Sequence, residues 1–524
     1  MDPTTGASAP TKGVLALTLL TILAALLLRF LRVDHDPREP PLVPTKIPLF
    51  GHVIGLYKYG KQYYQKMEDE YGYDIYTLAL PDLKQYVITS PALSAAVSRQ
   101  SKIISFRPFI INFVRKLMLF DDASHAINEK NLFDEDGQGI ISASHDVFYN
   151  NLPTGPVLEE ISQVLLDDAA AVYNKLSSTK DDEINTGLTD FCKNVIGYPT
   201  MNAFWGPENI MAKDPTLLSA FWDMDTGQIQ LGIGILPSLT ARKAHLGRAR
   251  LHAAMTEYYE SGAWLRASTL IRQRAQAHFD HGYTKRMFAR SDTGLLVGAL
   301  PNSTFTTFWL IAHLLADRAL LTAIRAELTE SGTVTRNEDD DGKVVVVIDV
   351  PRLRTRCPLF ASAFRETLRL GMPTSSVRTV RENVTLAGRY FLRKGSLVLI
   401  DAGVMHTKPA IWGDDAAEFN PRRFVDSPAG EFGGDQSGRK VHPGAFRAFG
   451  GGEVFCPGRN LALIEVVGTV TPLVCGWDLV GDELKVPPPL DDVMPVGVWK
   501  PREDVAVRLK RRAGWEGVRW EYKV

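Results

Sequence analysis

Apolar and polar positions along the chain mark out a short apolar segment, a long helical stretch and a closing region of strands and turns. Residues Gly13 to Leu28 form an uninterrupted apolar run, and Phe30, Leu31 and Val33 continue it past Arg29. As a helix the uninterrupted part covers about 24 Å at about 1.5 Å per residue. Snorkelling of Arg29 and Arg32 extends it toward the roughly 30 Å of a bilayer core. A cleaved signal peptide would carry its positive charge ahead of the run and a small-x-small site after it. Only Lys12 precedes the run, whereas Arg29, Arg32 and Arg38 follow it. The pattern predicts an uncleaved membrane anchor over residues 13–33, with everything after it in the cytosol. Pro37, Pro40, Pro41, Pro44 and Pro48 then stiffen residues 34–50 into a semi-rigid linker, leaving residues 51–524 as the main body. No second long apolar run appears, so the span is single.

Within the body, apolar spacing from about Tyr57 to Gln276 is mostly helical, as in Val157 to Leu176. Residues Asp74 to Thr89 alternate and carry β-branched and aromatic side chains, which predicts a hairpin. A helical stretch from about Asp292 to Leu328 leads to an acidic turn, NEDDDGK, and a strand from Val344 to Asp349. The acidic turn lacks the spaced ligands and terminal glutamate of a calcium loop and reads as a solvated hairpin tip. After Leu370 the pattern becomes short strands and turns, and a final helix begins near Pro457. The fold class is therefore mainly α with a minor β portion.

Composition adds exclusions. The 524 residues hold 59 basic and 60 acidic side chains, a formal charge of −1, without the basic excess that a nucleic-acid partner would require, so no nucleic-acid partner is expected. An apolar share of 45% and a charged share of 23% are those of an ordinary folded protein. Cys192, Cys357, Cys456 and Cys475 have unrelated spacings and make neither a disulfide framework nor a zinc site. His278 and His281 lie in a polar stretch without further ligands, which predicts a solvated pair and no metal. No G-x-S-x-G or P-loop is present.

The strongest chemical signal is FGGGEVFCPGRN, Phe449 to Asn460. Proline is tolerated in a helix's first turn, so Cys456 sits at or beside a helix N-terminus, where free N–H groups and the helix dipole lower a thiol's pKa. Gly452 and Gly458 remove side chains where a flat macrocycle approaches the backbone, and Phe449 shields the sulfur from water. On the loop alone, a buried structural cysteine is an equal reading. A phosphate-cradling loop is not, because the P-loop lysine and the G-x-G-x-x-G spacing are missing.

The full pattern F-x-x-G-x-x-x-C-x-G resembles the haem loop of the cytochrome P-450 superfamily. That resemblance implies a cytochrome P-450 fold behind the anchor and haem b (iron protoporphyrin IX) with Cys456 as axial iron ligand. It departs at Val454, where the family usually has Arg or His pairing a haem propionate. Glu366 and Arg369, three apart in FRETLRL, share a helix face. They resemble the family's E-x-x-R motif, and FNPRRF (Phe419 to Phe424) resembles its F-x-P-x-R-F segment, implying a buried triad with Arg423. By the same match Arg378 is implied as a propionate partner, and His406 as a packed or capping side chain. No W-x-x-x-R is evident where the family places a further propionate-binding helix.

In the helix ahead of these motifs the family usually carries [AG]-G-x-[DE]-T, an acid–alcohol pair for proton delivery. Here the stretch reads Ala299-Leu300-Pro301-Asn302-Ser303. Pro301 predicts a kink. Asn302 cannot give up a proton at neutral pH, so the expectation is that Asn302 and Ser303 position waters that do. The N-S-x-x-x-x-F-W form resembles the branch of sterol 7α- and 12α-hydroxylases and prostacyclin synthase, and the FGGG-x-x-x-CPGR loop is similar to that of filamentous-fungal members. Together they imply a membrane-bound monooxygenase acting on a lipophilic steroid, terpenoid or other secondary metabolite. They further imply the endoplasmic reticulum with the body facing the cytosol, and electrons from NADPH through a separate NADPH-cytochrome P-450 reductase, with Lys440, Arg447 or Arg459 as docking cations. A haem-thiolate isomerase or dehydratase acting on a peroxide without external electrons is the alternative. A non-catalytic haem-binding protein is a second one.

Overall fold

A computed structural model describes residues 18, 33–178, 183–426, 441–482 and 484–524. The predicted anchor, residues 13–33, lies outside the described residues except for Thr18 and Val33. The alternation at residues 74–89 produces its hairpin: Ile75–Ala79 pairs antiparallel with Lys84–Ile88, Ile75 opposite Ile88. Three later segments widen it into a five-stranded sheet. Leu397–Asp401 lies parallel beside Lys84–Ile88, then come Ser375–Val380 and Ile104–Ser105, both antiparallel to their neighbours. The proline-rich segment lies along the free edge of this sheet. Leu42 bridges Thr77, and Glu39, 4% exposed, accepts hydrogen bonds from Lys84 Nζ, Tyr86 Oη and Arg393 Nε. Residues around Glu39 are thus strapped to the sheet, where proline content alone predicts only stiffness.

The helical part is built around four helices: Pro156–Ser178, Leu188–Trp205, Pro301–Leu315 and Arg459–Gly476. They pack on one another and share one apolar core. Lys285–Leu315 taken as one stretch, and Arg459–Gly476, are long and apolar enough to cross a membrane but lie mostly inside the protein. The stretch predicted from Asp292 to Leu328 is divided into Lys285–Ala299, Pro301–Leu315 and Arg318–Glu330. Pro301, lacking an N–H, opens the second, and Asp317 caps the third by accepting from Leu320 N at 2.8 Å. The acidic turn is the tip of a hairpin of Val334–Glu338 and Val344–Asp349, with Asp339 accepting from Asp341 N and Lys343 N.

One expectation fails in this region. His278 is not solvated: it is 3% exposed, sits edge-on to Tyr283 and has Nδ1 2.8 Å from the Arg274 carbonyl. The polar neighbours that made the stretch look wet lie on the other side of the Thr269–Asp280 helix. Among the described residues no group of three or more His, Cys, Asp or Glu is arranged to hold a metal ion.

Candidate active site

A cavity of about 550 Å³ opens between the Pro301–Leu315 helix, the Arg459–Gly476 helix and the strand Ser375–Val380. Cys456 lines it together with Phe449, Pro457 and Gly458. The loop is closed on itself by backbone bonds: Cys456 N–H donates to Phe449 O at 2.8 Å and Phe455 N–H to Gly452 O at 3.1 Å. Gly452 has φ +64°, and a Cβ there would lie 2.9 Å from the Ser98 Cβ. Gly452 therefore serves the turn and does not line the cavity, unlike its expected role. Gly458 does line it, and a Cβ there would stand 3.8 Å from Cys456 Sγ.

The helix begins at Arg459, with Gly458 as its cap, so Cys456 stands just ahead of the terminus. Burial pushes the thiol up, and the Gly458 N–H and Arg459 pull it only part of the way back. The expectation of a thiol lowered by the helix terminus is corrected: desolvation outweighs the terminus, and a bound cation is needed to hold the anion. Cys192, Cys357 and Cys475 are buried core residues, as expected.

A chain of contacts ties this loop to the predicted triad. Arg369 grips Glu366 with two bonds, Nε to Oε2 and Nη2 to Oε1, each at 2.7 Å. Arg423 Nε reaches Glu366 Oε1 at 3.0 Å, and the three residues are 0%, 0% and 3% exposed. Arg369 Nη1 also donates to the His406 carbonyl, and His406 Nε2 accepts from Arg447 N at 2.9 Å, at the start of the cysteine loop. Burial first, then Arg369, pushes His406 down to about 3, so it is a neutral acceptor there.

Arg378 is 3% exposed and does not line the cavity itself. Its guanidinium lies over Phe106 at 5.3 Å and donates to Ser376 Oγ at 2.6 Å, both of them lining residues. Burial, then Arg447, pushes it down to about 10. The carboxylate it feels, Glu453, is held by Arg107 at 2.7 Å. A cation buried without its own carboxylate costs several kcal/mol unless a further anion arrives. A thiol facing a largely apolar cavity, a missing Cβ beside the sulfur and an unneutralised guanidinium behind the wall together fit an iron macrocycle bearing carboxylates.

Asn302 and Ser303 both line the cavity, but they face different partners. Asn302 Oδ1 accepts from Val498 N at 3.1 Å, beside Gly497, where a Cβ would come within 2.1 Å of that oxygen. Ser303 Oγ donates to Glu465 Oε2 at 2.5 Å, so its hydrogen is committed to a side chain, where a role in positioning water was expected.

Glu465 and its second partner, Thr200, are the functional-site residues that sequence reasoning missed. Thr200 Oγ1 is 2.6 Å from both Glu465 Oε1 and the Ile196 carbonyl. One hydroxyl hydrogen cannot serve both acceptors, so the cluster is satisfied when Glu465 carries a proton. Burial pushes its carboxyl up to about 7. The signal was a lone charge in an otherwise apolar helix, LALIEVVG. As for docking, Arg447 is 6% exposed and unfit for it. Arg459 lies over Phe455 and donates to Cys456 O, and Lys440 is outside the described residues.

Comparison with known proteins agrees with this geometry. The sequence model of the family described as Cytochrome P450 matches residues 267–503. A cytochrome P450 monooxygenase of Gibberella zeae is 30% identical over 93% of this chain and 92% of its own length. Cytochrome P450 monooxygenase nodJ of Hypoxylon pulicicidum is 28% identical over 94% of each chain. The 5-beta-cholestane-3-alpha,7-alpha-diol 12-alpha-hydroxylase of Sus scrofa is 24% identical over 95% of this chain and 98% of its own.

Proposed function

The chain belongs to the cytochrome P450 family and is a monooxygenase, and on that premise we propose that it oxygenates a lipophilic steroid, terpenoid or other secondary metabolite at the cytosolic face of the endoplasmic reticulum. The observation that carries this reading is a cysteine at the wall of a cavity that Phe106, Phe109, Phe148, Phe204 and Leu295 also line. Haem b held there supplies dioxygen activation with an electron pair from NADPH delivered by NADPH-cytochrome P450 reductase, so that RH, O2, NADPH and a proton become ROH, water and NADP+.

The chain's own residues do the rest. Cys456 would hold the iron through its sulfur, and binding the metal would displace the thiol's proton, against the upward push of burial. Phe449 and Gly458 shape the wall at the sulfur, Gly452 holds the loop's turn, and Arg378, buried behind the wall, would offset the charge of a propionate. The aromatic wall excludes water and orients an apolar substrate. Asn302, which accepts from Val498 N, lines the cavity, and Ser303 donates to Glu465 on the neighbouring helix. Glu366, Arg369 and Arg423 keep the loop in place through His406.

Residues 13–33 form the anchor, and residues 34–50, strapped to the sheet at Glu39 and Leu42, join it to the rest of the haem domain. Exposed apolar side chains support a second contact with lipid, notably Tyr57 at 92% and Leu239 at 78% exposure. The absence of an acid at position 302 favours one second reading, isomerisation of a peroxide without electrons. Incubation of the membrane-bound protein with reductase, NADPH, isotopically labelled dioxygen and a panel of steroids and terpenoids separates the two. Monooxygenation places one labelled oxygen in the product and needs NADPH; product formed without NADPH or label would instead mean isomerisation.

A further inference from the structure

The haem site read above has an unfilled requirement: the position two before the cysteine, where the family usually places an arginine or histidine, is Val454. We propose that Arg447 fills the role vacated at Val454, binding a propionate of the haem directly. The inference rests on that haem reading.

Unlike Arg378, Arg447 lines the cavity. Its backbone is pinned by His406, and its Nη1 donates to Ser94 Oγ at 2.7 Å. Nη2 is buried with no hydrogen-bond partner. Burial pushes this guanidinium down to about 10, and it repels Arg378 in turn. The one carboxylate of the loop, Glu453, is spent on Arg107. Two like charges are therefore buried near each other without an anion between them. An orphaned Nη2–H next to an anchored Nη1 is the fork that binds a carboxylate in two places.

The glycine run makes room for it. Gly451 has extended backbone, φ 168°, that any residue adopts, so its conformation does not explain a glycine. A Cβ there would lie 2.8 Å from Arg447 Nη1 and 3.1 Å from Cζ and Nη2. The missing side chain keeps the guanidinium where it is. Arg447 and Gly451 are therefore one device: an arginine on the approach to the loop replaces the one missing within it.

The test compares haem-loaded wild type, Arg447→Leu and Arg447→Leu/Val454→Arg in detergent. The readouts are the rate of haem transfer to excess apomyoglobin and the midpoint reduction potential. Losing a charge-assisted bond to a carboxylate predicts transfer about tenfold faster from Arg447→Leu. The potential falls, because a cation has left the neighbourhood of the metal. Val454→Arg restores both. Where Arg447→Leu does not accumulate with haem, Arg447→Lys keeps the charge and loses the fork, and a smaller acceleration, again reversed by Val454→Arg, is expected. Unchanged transfer from haem-loaded Arg447→Leu would overturn this inference alone, as would a loss that Val454→Arg leaves untouched. A wild-type protein that holds no haem would sink the underlying reading with it.

Discussion

Ser303 donates its hydroxyl to Glu465 across 2.5 Å, joining the helix that lines the cavity to the helix that follows the cysteine. The family's usual acid–alcohol pair sits on one helix; here the alcohol is on one and the acid on another. Burial raises Glu465 from 4.5 to about 7. The folded protein thus holds this proton more tightly than the unfolded chain. Stability from this group is complete below pH 4.5 and falls by about 1.4 kcal/mol per unit as pH rises toward 7, on the order of 3 kcal/mol in all. Glu465→Gln removes that slope. Denaturant titrations at about pH 5 and about pH 8 measure it; equal pH dependence in wild type and variant would show that Glu465 is charged throughout.

Asn302 is held by the Val498 N–H and by the space at Gly497. Gly497→Ala pushes the amide oxygen from its place, and Asn302→Leu removes its donors. Both lower the product formed per NADPH consumed, by roughly tenfold for Asn302→Leu, with the excess electrons appearing as peroxide. Coupling ratios at saturating substrate read this directly. An unchanged ratio in both variants would remove Asn302 from the chemistry.

Glu366 is shared by two buried guanidiniums. Glu366→Gln strands both, which costs about 3–5 kcal/mol, whereas Glu366→Leu combined with Arg369→Leu costs less than the sum of the single changes. Unfolding midpoints of wild type, the three single variants and the double variant test it, and strict additivity would mean that the residues do not act as a unit.

Residues with their own local grammar were legible without coordinates. The alternation at 74–89 became a hairpin, the acidic turn a hairpin tip, and E-x-x-R with FNPRRF a pair of guanidiniums each within 3.0 Å of Glu366. What escaped reading depends on partners distant in sequence. Ser303 and Thr200 meet at Glu465 only because helices cross, and Arg447 meets Ser94 because the approach to the cysteine loop packs on the Pro91–Arg99 helix. The thiol was misjudged for a related reason: a helix terminus is visible in the order of residues, but the desolvation that outweighs it is set by the walls of the cavity. His278 was misplaced because local polarity does not reveal which helix face is packed.

The central claim is that Cys456 is the axial thiolate of a bound haem, and the reduced carbon-monoxide difference spectrum tests it most directly. Wild type is expected to give the red-shifted band of thiolate-ligated haem, and Cys456→Ala to lose it while keeping the wild-type secondary structure by circular dichroism. The same band in both proteins would contradict the assignment.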